Sequence, residues 1–234
     1  MHITDISPRH IEETDTEDDK LRFDYFWKYY DLHKPAFMQP TNIKVDVDLF
    51  NEEIKSWHHL FRQWGYNRPN NPRYGISLLN LDGEIEEEKD YGCSPMDMVP
   101  EELGLWEHDF KVRTPVYDTM ESMRVFDPIV EHMIRSNILL FHKGGNFTPH
   151  IDTCPLPYKK DASDGWNLRL WGNTDPDNYM FSNLGHLNKD LEPGRLYLVD
   201  TTQWHIAEAL ADWNYTFFIA LNSNCIDEVH KWLI

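Results

Sequence analysis

Cysteine is scarce in this chain. The three present, Cys93, Cys154 and Cys225, are odd in number and form no CxxC pair, so no disulfide framework is expected and a reducing compartment is the natural setting. Long apolar runs are missing too, and nothing approaches the roughly 18 consecutive apolar residues that a membrane-spanning helix needs. The first ten residues, Met1-His-Ile-Thr-Asp-Ile-Ser-Pro-Arg-His, have neither the basic start nor the apolar centre of a secretory leader. These absences point to the cytoplasm and away from membranes. Basic residues are outnumbered, 22 against 40 acidic, for a net charge of −18. Binding to phosphate backbones depends on Lys and Arg, which excludes nucleic acid as a general partner. A cationic partner or simple solubility fits better. No internal repeat is visible, and nothing in the pattern specifies an oligomeric state.

What is present suits one well-packed domain over residues 1–234. The chain has 234 residues, is 41% hydrophobic and 14% aromatic, and holds nine Trp. Residues 1–22 are polar and mostly acidic, an arm outside the core. Its His10-Ile-Glu12 has metal-ligand spacing but no strand or apolar setting to support it. Aromatic residues crowd Phe23 to Tyr30, a segment expected to pack on the core. Phe50, Ile54, Trp57, Phe61 and Trp64 recur at helical spacing, with Asp48 as N-cap and Gly65 as the stop, which predicts an amphipathic helix. His58 and His59 fall on or beside its polar side and read as solvated or partly packed. Tyr74 to Leu81 reads as a strand closed by the Asp82-Gly83 turn. Residues 84–98 form an acidic loop, solvated on the plain reading and a lid on the sharper one. Two short helices, 117–126 and 128–135, are divided by Asp127-Pro128.

From Asn137 the texture changes to short strands broken by Gly, Pro and Asn: 137–143, 147–152, 167–173, 178–184, 195–199, 204–209 and 215–222. That pattern predicts a β-sandwich or small barrel, with the helical first half on one sheet's outer face, an α+β fold. In an extended strand residues i and i+2 share a face, so His150 and Asp152 can grip one ion together. His205 lies about fifty residues on, behind the Pro193-Gly194 turn, at a separation that suits a barrel's second and seventh strands. Two His and one carboxylate with the remaining positions open is the arrangement that suits non-haem Fe(II). The plainer alternative is a surface His-Asp pair plus a core histidine. His142, alternating with Leu140, reads as a pocket-lining or core residue, and His186 sits beside Gly185 at an expected turn.

With these residues in view, the sequence resembles the Fe(II)/2-oxoglutarate-dependent oxygenases, and within them most the aspartyl/asparaginyl β-hydroxylase-like branch. The resemblance rests on His150-Ile-Asp152, Asn167-Leu-Arg169-Leu-Trp, Pro193-Gly194 leading into Leu196-Tyr-Leu-Val-Asp200, and Trp204-His205. It covers mainly residues 137–222, with Arg73-Tyr-Gly-Ile-Ser as a weaker extension. It implies a jelly-roll, cupin-like double-stranded β-helix core. It also implies His150, Asp152 and His205 as the catalytic metal triad and 2-oxoglutarate as co-substrate. The chemistry implied is oxidative decarboxylation of that oxo acid with O2, coupled to hydroxylation of a small-molecule or peptide substrate at an amino-acid side chain. The family usually places an Arg about ten residues after the distal His; here that place reads Asp212-Trp-Asn-Tyr215-Thr216. A buried carboxylate needs a cation, so Arg169 is the first candidate, Lys143 the second and Arg195 the third. Tyr215 and Thr216 offer hydroxyl hydrogen bonds from the usual place. Trp204 is expected to pack on the barrel wall or seal the pocket, and Cys154 to fill apolar space. Asn146 and Thr148 would shape the turn or meet substrate, and the loop 153–165 with Lys159 and Lys160 is placed to bind it. The alternative is a cupin-like binding protein without 2-oxoglutarate turnover, which the missing downstream Arg favours.

Overall fold

The computed structural model describes residues 38–64, 71–86, 90, 92–93, 109–150, 167–183, 186–188, 190–199, 201, 205–222 and 231–234. The arm, the aromatic segment 23–30, Asp152, the loop 153–165, Trp204 and most of 84–98 lie outside the described residues. The described chain is mostly antiparallel sheet with few helices. In chain order it contains β1 (Met38–Lys44), α1 (Val47–Glu53), a 3-10 run (Ile54–Leu60), β2 (Arg62–Gln63), β3 (Arg73–Ser77), β4 (Leu79–Asn80) and β5 (Val112–Arg113). There follow α2 (Pro115–Thr119), a longer 3-10 run (Glu121–His132), β6 (Met133–Phe141), β7 (Asn146–His150), β8 (Asn167–Asn173) and a short 3-10 turn (Pro176–Asn178). The chain continues through β9 (Tyr179–Asn183), β10 (His186–Leu187), β11 (Arg195–Val199), β12 (His205–Ala209) and β13 (Asn214–Asn222).

Two antiparallel sheets carry the architecture, one of seven strands ordered β1-β11-β8-β13-β6-β3-β2 and one of four ordered β10-β9-β12-β7. From β6 onward the chain passes repeatedly between them: β6, β8, β11 and β13 lie in the larger sheet, and β7, β9, β10 and β12 in the smaller. Strands β1, β3 and β2 widen the larger sheet at its two edges.

Period-two alternation sorts the larger sheet's side chains between two cores. On one face, Tyr215, Phe217, Ile219 and Leu221 of β13 join Leu170, Leu196 and Ile138 against Phe50, Ile54, Met123 and Phe126 of the helical segments. Phe217 is fully buried there, its ring edge-on to Phe50 at 4.9 Å. On the other face, Leu139, Phe141, Trp171, Tyr197 and Val199 meet Tyr179, Phe181, Ala207 and Ala209 of the smaller sheet. The helical part of the first half thus packs on the outer face of the larger sheet, and the second core is the interior between the sheets.

Several local expectations change. The apolar spacing from Phe50 to Trp64 is not one helix. Asp46, not Asp48, caps α1 by accepting the Leu49 N–H at 3.1 Å, and the chain tightens into the 3-10 run at Ile54. Arg62–Gln63 then pairs with β3, which turns the Trp64 ring onto Gly75: a Cβ there would lie 2.8 Å from Trp64. The two helices expected around Asp127-Pro128 are a short α2 and one unbroken 3-10 run through Pro128. Asp127 accepts the Tyr117 hydroxyl at 2.9 Å instead of capping a new helix. The strand expected at 74–81 bends at Leu78 into β3 and β4, and the Asp82-Gly83 turn holds, with Gly83 at φ 80°. His186 lies in the short strand β10 rather than a turn. Gly194, at φ 74°, makes the sharp entry to β11, where a Cβ would come within 2.3 Å of the Val45 carbonyl oxygen.

Candidate functional site

His205 opens β12, which is hydrogen-bonded to β7 on one side and β9 on the other. In this register His205 stands directly opposite His150, and opposite Asn183 on the far side. Residues paired across antiparallel strands occupy one face of the sheet. That face is the interior one, because Ala207 and Ala209 follow His205 at period two and both belong to the inner core. His205 is 7% exposed, and its ring lies 6.2 Å from that of Phe181. The small side chains at 207 and 209 leave the interior to the large rings of Phe181, Trp171 and Tyr179, with Phe181 stacked on Trp171 at 4.8 Å. His205 therefore stands at one end of the interior, with the backbone of His150 paired beside it. Asp152, two residues past His150, lies outside the described residues. Among the described residues no three His, Cys, Asp or Glu side chains group closely enough to hold a metal ion.

The candidates for the co-substrate's carboxylate separate by strand parity. Arg169 alternates with the helix-facing Leu170, so it takes the interior face of β8, opposite Val199 and Ala220. It is 4% exposed, with Cζ 5.0 Å over the Phe218 ring. A guanidinium in such a place is costly to bury without hydrogen-bonded, charge-compensating surroundings. Thr216 is also interior and buried; its Oγ1 accepts from Asn173 Nδ2 at 2.9 Å, and Asn173 Nδ2 donates to Asn214 Oδ1 at 2.5 Å. The Tyr179 hydroxyl hydrogen-bonds to Thr216 as well, and burial pushes its pKa above the ordinary tyrosine range.

Tyr215 does not join them. One residue from Thr216, it faces the helical side, where its ring packs edge-on to Phe50 at 5.3 Å and its hydroxyl lies 2.7 Å from His58 Nε2. Burial raises its pKa to about 12. Lys143 is also displaced from the role expected of it: it is exposed in the turn after β6, its backbone N–H donating to Asp212 Oδ1 at 2.9 Å. Arg195 is engaged at the sheet edge, donating to the Thr41 carbonyl at 2.7 Å and to Glu192 at 2.9 Å. His142 is half-buried just past β6, edge-on to Trp213 at 4.8 Å. Thr148 is exposed, while the backbone of Asn146 is clamped: its N–H donates to Asn71 Oδ1 at 2.9 Å and its carbonyl accepts from Arg73 Nη1 at 2.7 Å.

Two features escaped the sequence reading. Arg73 ties the larger sheet's edge to β7, its guanidinium 3.8 Å over the Phe147 ring. Its signal was the parity of Arg73-Tyr-Gly-Ile-Ser, which sets Arg73, Gly75 and Ser77 on one face. The second is a buried polar knot in which Asp90 accepts the Ser77 N–H at 2.9 Å and its hydroxyl at 2.6 Å, while Ser77 Oγ also lies 3.1 Å from Asn137 Oδ1. Asp90 stands in an acidic run and carries no distinguishing pattern of its own.

No family model matches the chain, and no curated protein does. Solved structures do resemble it. A prolyl hydroxylase from Trichoplax adhaerens, in complex with a hypoxia inducible factor oxygen degradation domain peptide, is 10% identical over 91% of this chain and 97% of its own, with a TM-score of 0.43. A 2OG-Fe(II) oxygenase family oxidoreductase from Burkholderia pseudomallei is 9% identical over 75% of this chain and 78% of its own, with a TM-score of 0.38. An oxalate oxidase is 13% identical over 63% and 74% of the two chains, with a TM-score of 0.26.

Proposed function

We propose that this chain, residues 1–234 as one domain, is a non-haem Fe(II)- and 2-oxoglutarate-dependent dioxygenase on a double-stranded β-helix core. One observation carries the reading: His205, on the interior face of its strand, is the direct register partner of position 150 on the adjacent strand. The regular exchange of strands between the two sheets supports the jelly-roll assignment. The donor set fits the metal, since two imidazoles and a carboxylate two residues along are hard-to-borderline ligands that leave positions open. His150, Asp152 and His205 would hold the iron. Bound there with 2-oxoglutarate and O2, it supplies the oxidising power for hydroxylation.

The chain's own part is positioning. Arg169, a fixed positive charge on the interior wall, pairs with the distal carboxylate of the oxo acid. Thr216 and Tyr179 offer neutral hydroxyls deeper in the same interior. Phe181, Trp171 and Phe218 exclude water and so strengthen every charge contact made there. The substrate is an amino-acid or peptidyl side chain, a reading that rests on the resemblance of the motifs to the aspartyl/asparaginyl β-hydroxylase-like branch.

The test is anaerobic titration of the Fe(II)-loaded protein with 2-oxoglutarate, followed by succinate release in air. The expected result is a new absorption band and slow succinate formation, both lost in His150→Ala, Asp152→Ala and His205→Ala. No spectral change and no thermal shift would overturn the assignment. A second reading, a cupin-like binding protein, is favoured by the absence of Arg or Lys at 212–216; oxo-acid binding without any succinate would select it.

A further inference from the structure

We propose that the imidazoles of His58 and His142 clasp the indole of Trp213 as a pH-sensitive latch, closed at neutral pH and released on acidification. Trp213 sits in the tight turn between β12 and β13 and is 54% exposed. Its φ of 60° is the left-handed conformation, which a bulky L-residue holds only when its surroundings impose it. The surroundings here are two rings from different parts of the chain. His58, in the first 3-10 run, stacks on the indole with centroids 4.9 Å apart and planes 24° from parallel. His142, just past β6, meets it at 4.8 Å and 80°. The latch therefore joins the helical layer, the β6–β7 turn and the β12–β13 turn at one corner.

The charges around it set the direction of the switch. His58 faces Lys55 in its own segment, the Phe61 ring, Trp213, and the Tyr215 hydroxyl at 2.7 Å. His142 faces the Tyr74 ring, Trp213 and Asp212, whose Oδ1 lies 3.4 Å from Nδ1, with Lys143 next in the chain. Burial, then Lys55, then His142 hold the His58 pKa below the ordinary histidine value. The closed latch thus favours a neutral ring stacked on the indole. Opening the latch restores the ordinary value near 6.5, so the open form binds more protons. The closed form keeps its full advantage above that pH and loses it as pH falls through the depressed value.

This inference needs no metal and stands apart from the oxygenase reading. The test is acrylamide quenching of Trp213 in the intact chain, isolated as the difference between wild type and Trp213→Phe, from pH 8 to 5. Quenching should rise by roughly twofold with a midpoint below the ordinary histidine value. In Lys55→Gln, a change at a solvent-exposed side chain, the midpoint should move upward because one of the opposing charges is gone. His142→Asn should move it the same way, and His58→Gln should abolish it. Quenching that stays flat across the range, or a midpoint unmoved in Lys55→Gln, overturns the latch. If His58→Gln fails to fold, the lysine variant decides the question alone.

Discussion

Replacing Asp90 by Ala removes the acceptor of a fully buried polar knot. The carboxylate takes hydrogen bonds from the Ser77 hydroxyl at 2.6 Å, the Ser77 N–H at 2.9 Å and the Gly92 N–H at 3.1 Å, with Asn80 Nδ2 and the Cys93 N–H at 3.4 Å. Each bond to a charged acceptor is worth about 1.5–3 kcal/mol, and a stranded buried donor costs about 1–3 kcal/mol. These contributions do not add in full, because water enters the space left behind. The expected net loss is about 3–5 kcal/mol, or roughly 6–20 °C in melting temperature for a chain of this size. Asp90→Asn should fall between, since one carbonyl remains while its NH2 group faces other donors. The loss is read by urea unfolding followed by near-ultraviolet circular dichroism. A second readout is chemical. Cys93 is buried, and burial, then Asp90, push its thiol pKa up, so in the wild type it should resist alkylation at pH 8. In Asp90→Ala the 90–93 turn loosens and the Cys93 peptide should label, as seen by mass spectrometry. A loss below about 1 kcal/mol, or a Cys93 as unreactive as in the wild type, would refute the claim that this carboxylate pins the acidic segment to the sheet.

Arg169→Gln should weaken 2-oxoglutarate binding by roughly 30-fold or more while leaving Fe(II) binding intact, measured by calorimetry on the anaerobic protein; unchanged affinity would remove Arg169 from the site. Tyr215→Phe should cost about 1 kcal/mol through its bond to His58 and leave oxo-acid binding unchanged, because the hydroxyl faces the helical side. Tyr215 also makes stability pH-dependent: its raised pKa gives a contribution complete below pH 10 and lost as pH rises towards 12, where the unfolded chain ionises first. Urea midpoints taken across that range should therefore fall less steeply in the Phe variant. Phe217→Ala, at a fully buried ring between Phe50 and Phe126, should cost about 3–5 kcal/mol by the same unfolding measurement.

The strands of the second half were readable because their boundaries carry strong punctuation. Strands 167–173 and 195–199 fall where expected, the latter fixed by Pro193-Gly194 and its positive φ. His205 was expected from a strand distant in the chain, at a separation suiting a barrel's second and seventh strands. That its strand lies directly beside the one ending at His150 is a fact of the register, which spacing did not reveal. The first half was harder to read. The spacing of Phe50 to Trp64 fits an α-helix, yet pairing of Arg62–Gln63 with β3 overrides it, as tertiary contacts override local preference. β1 went unnoticed because Pro40 and Asn42 interrupt any alternation. At the sheet's margin Pro40 is tolerated, and Asn42 donates its N–H to the Trp232 carbonyl at 2.6 Å. Tyr215 and Thr216 looked equivalent in sequence, but the alternation of β13 sends them to opposite cores.

The two histidine positions differ in mechanical freedom. β12 is gripped by a ladder on each flank, so His205 cannot slide without breaking both, whereas among the described residues β7 closes the smaller sheet and has one ladder. β12 is thus the fixed jaw of a vice and β7 the adjustable jaw. Changes in the chain beyond residue 152 would leave the ladder between β7 and β12 intact, so a lineage could retune what meets β7 while the opposing jaw stayed put.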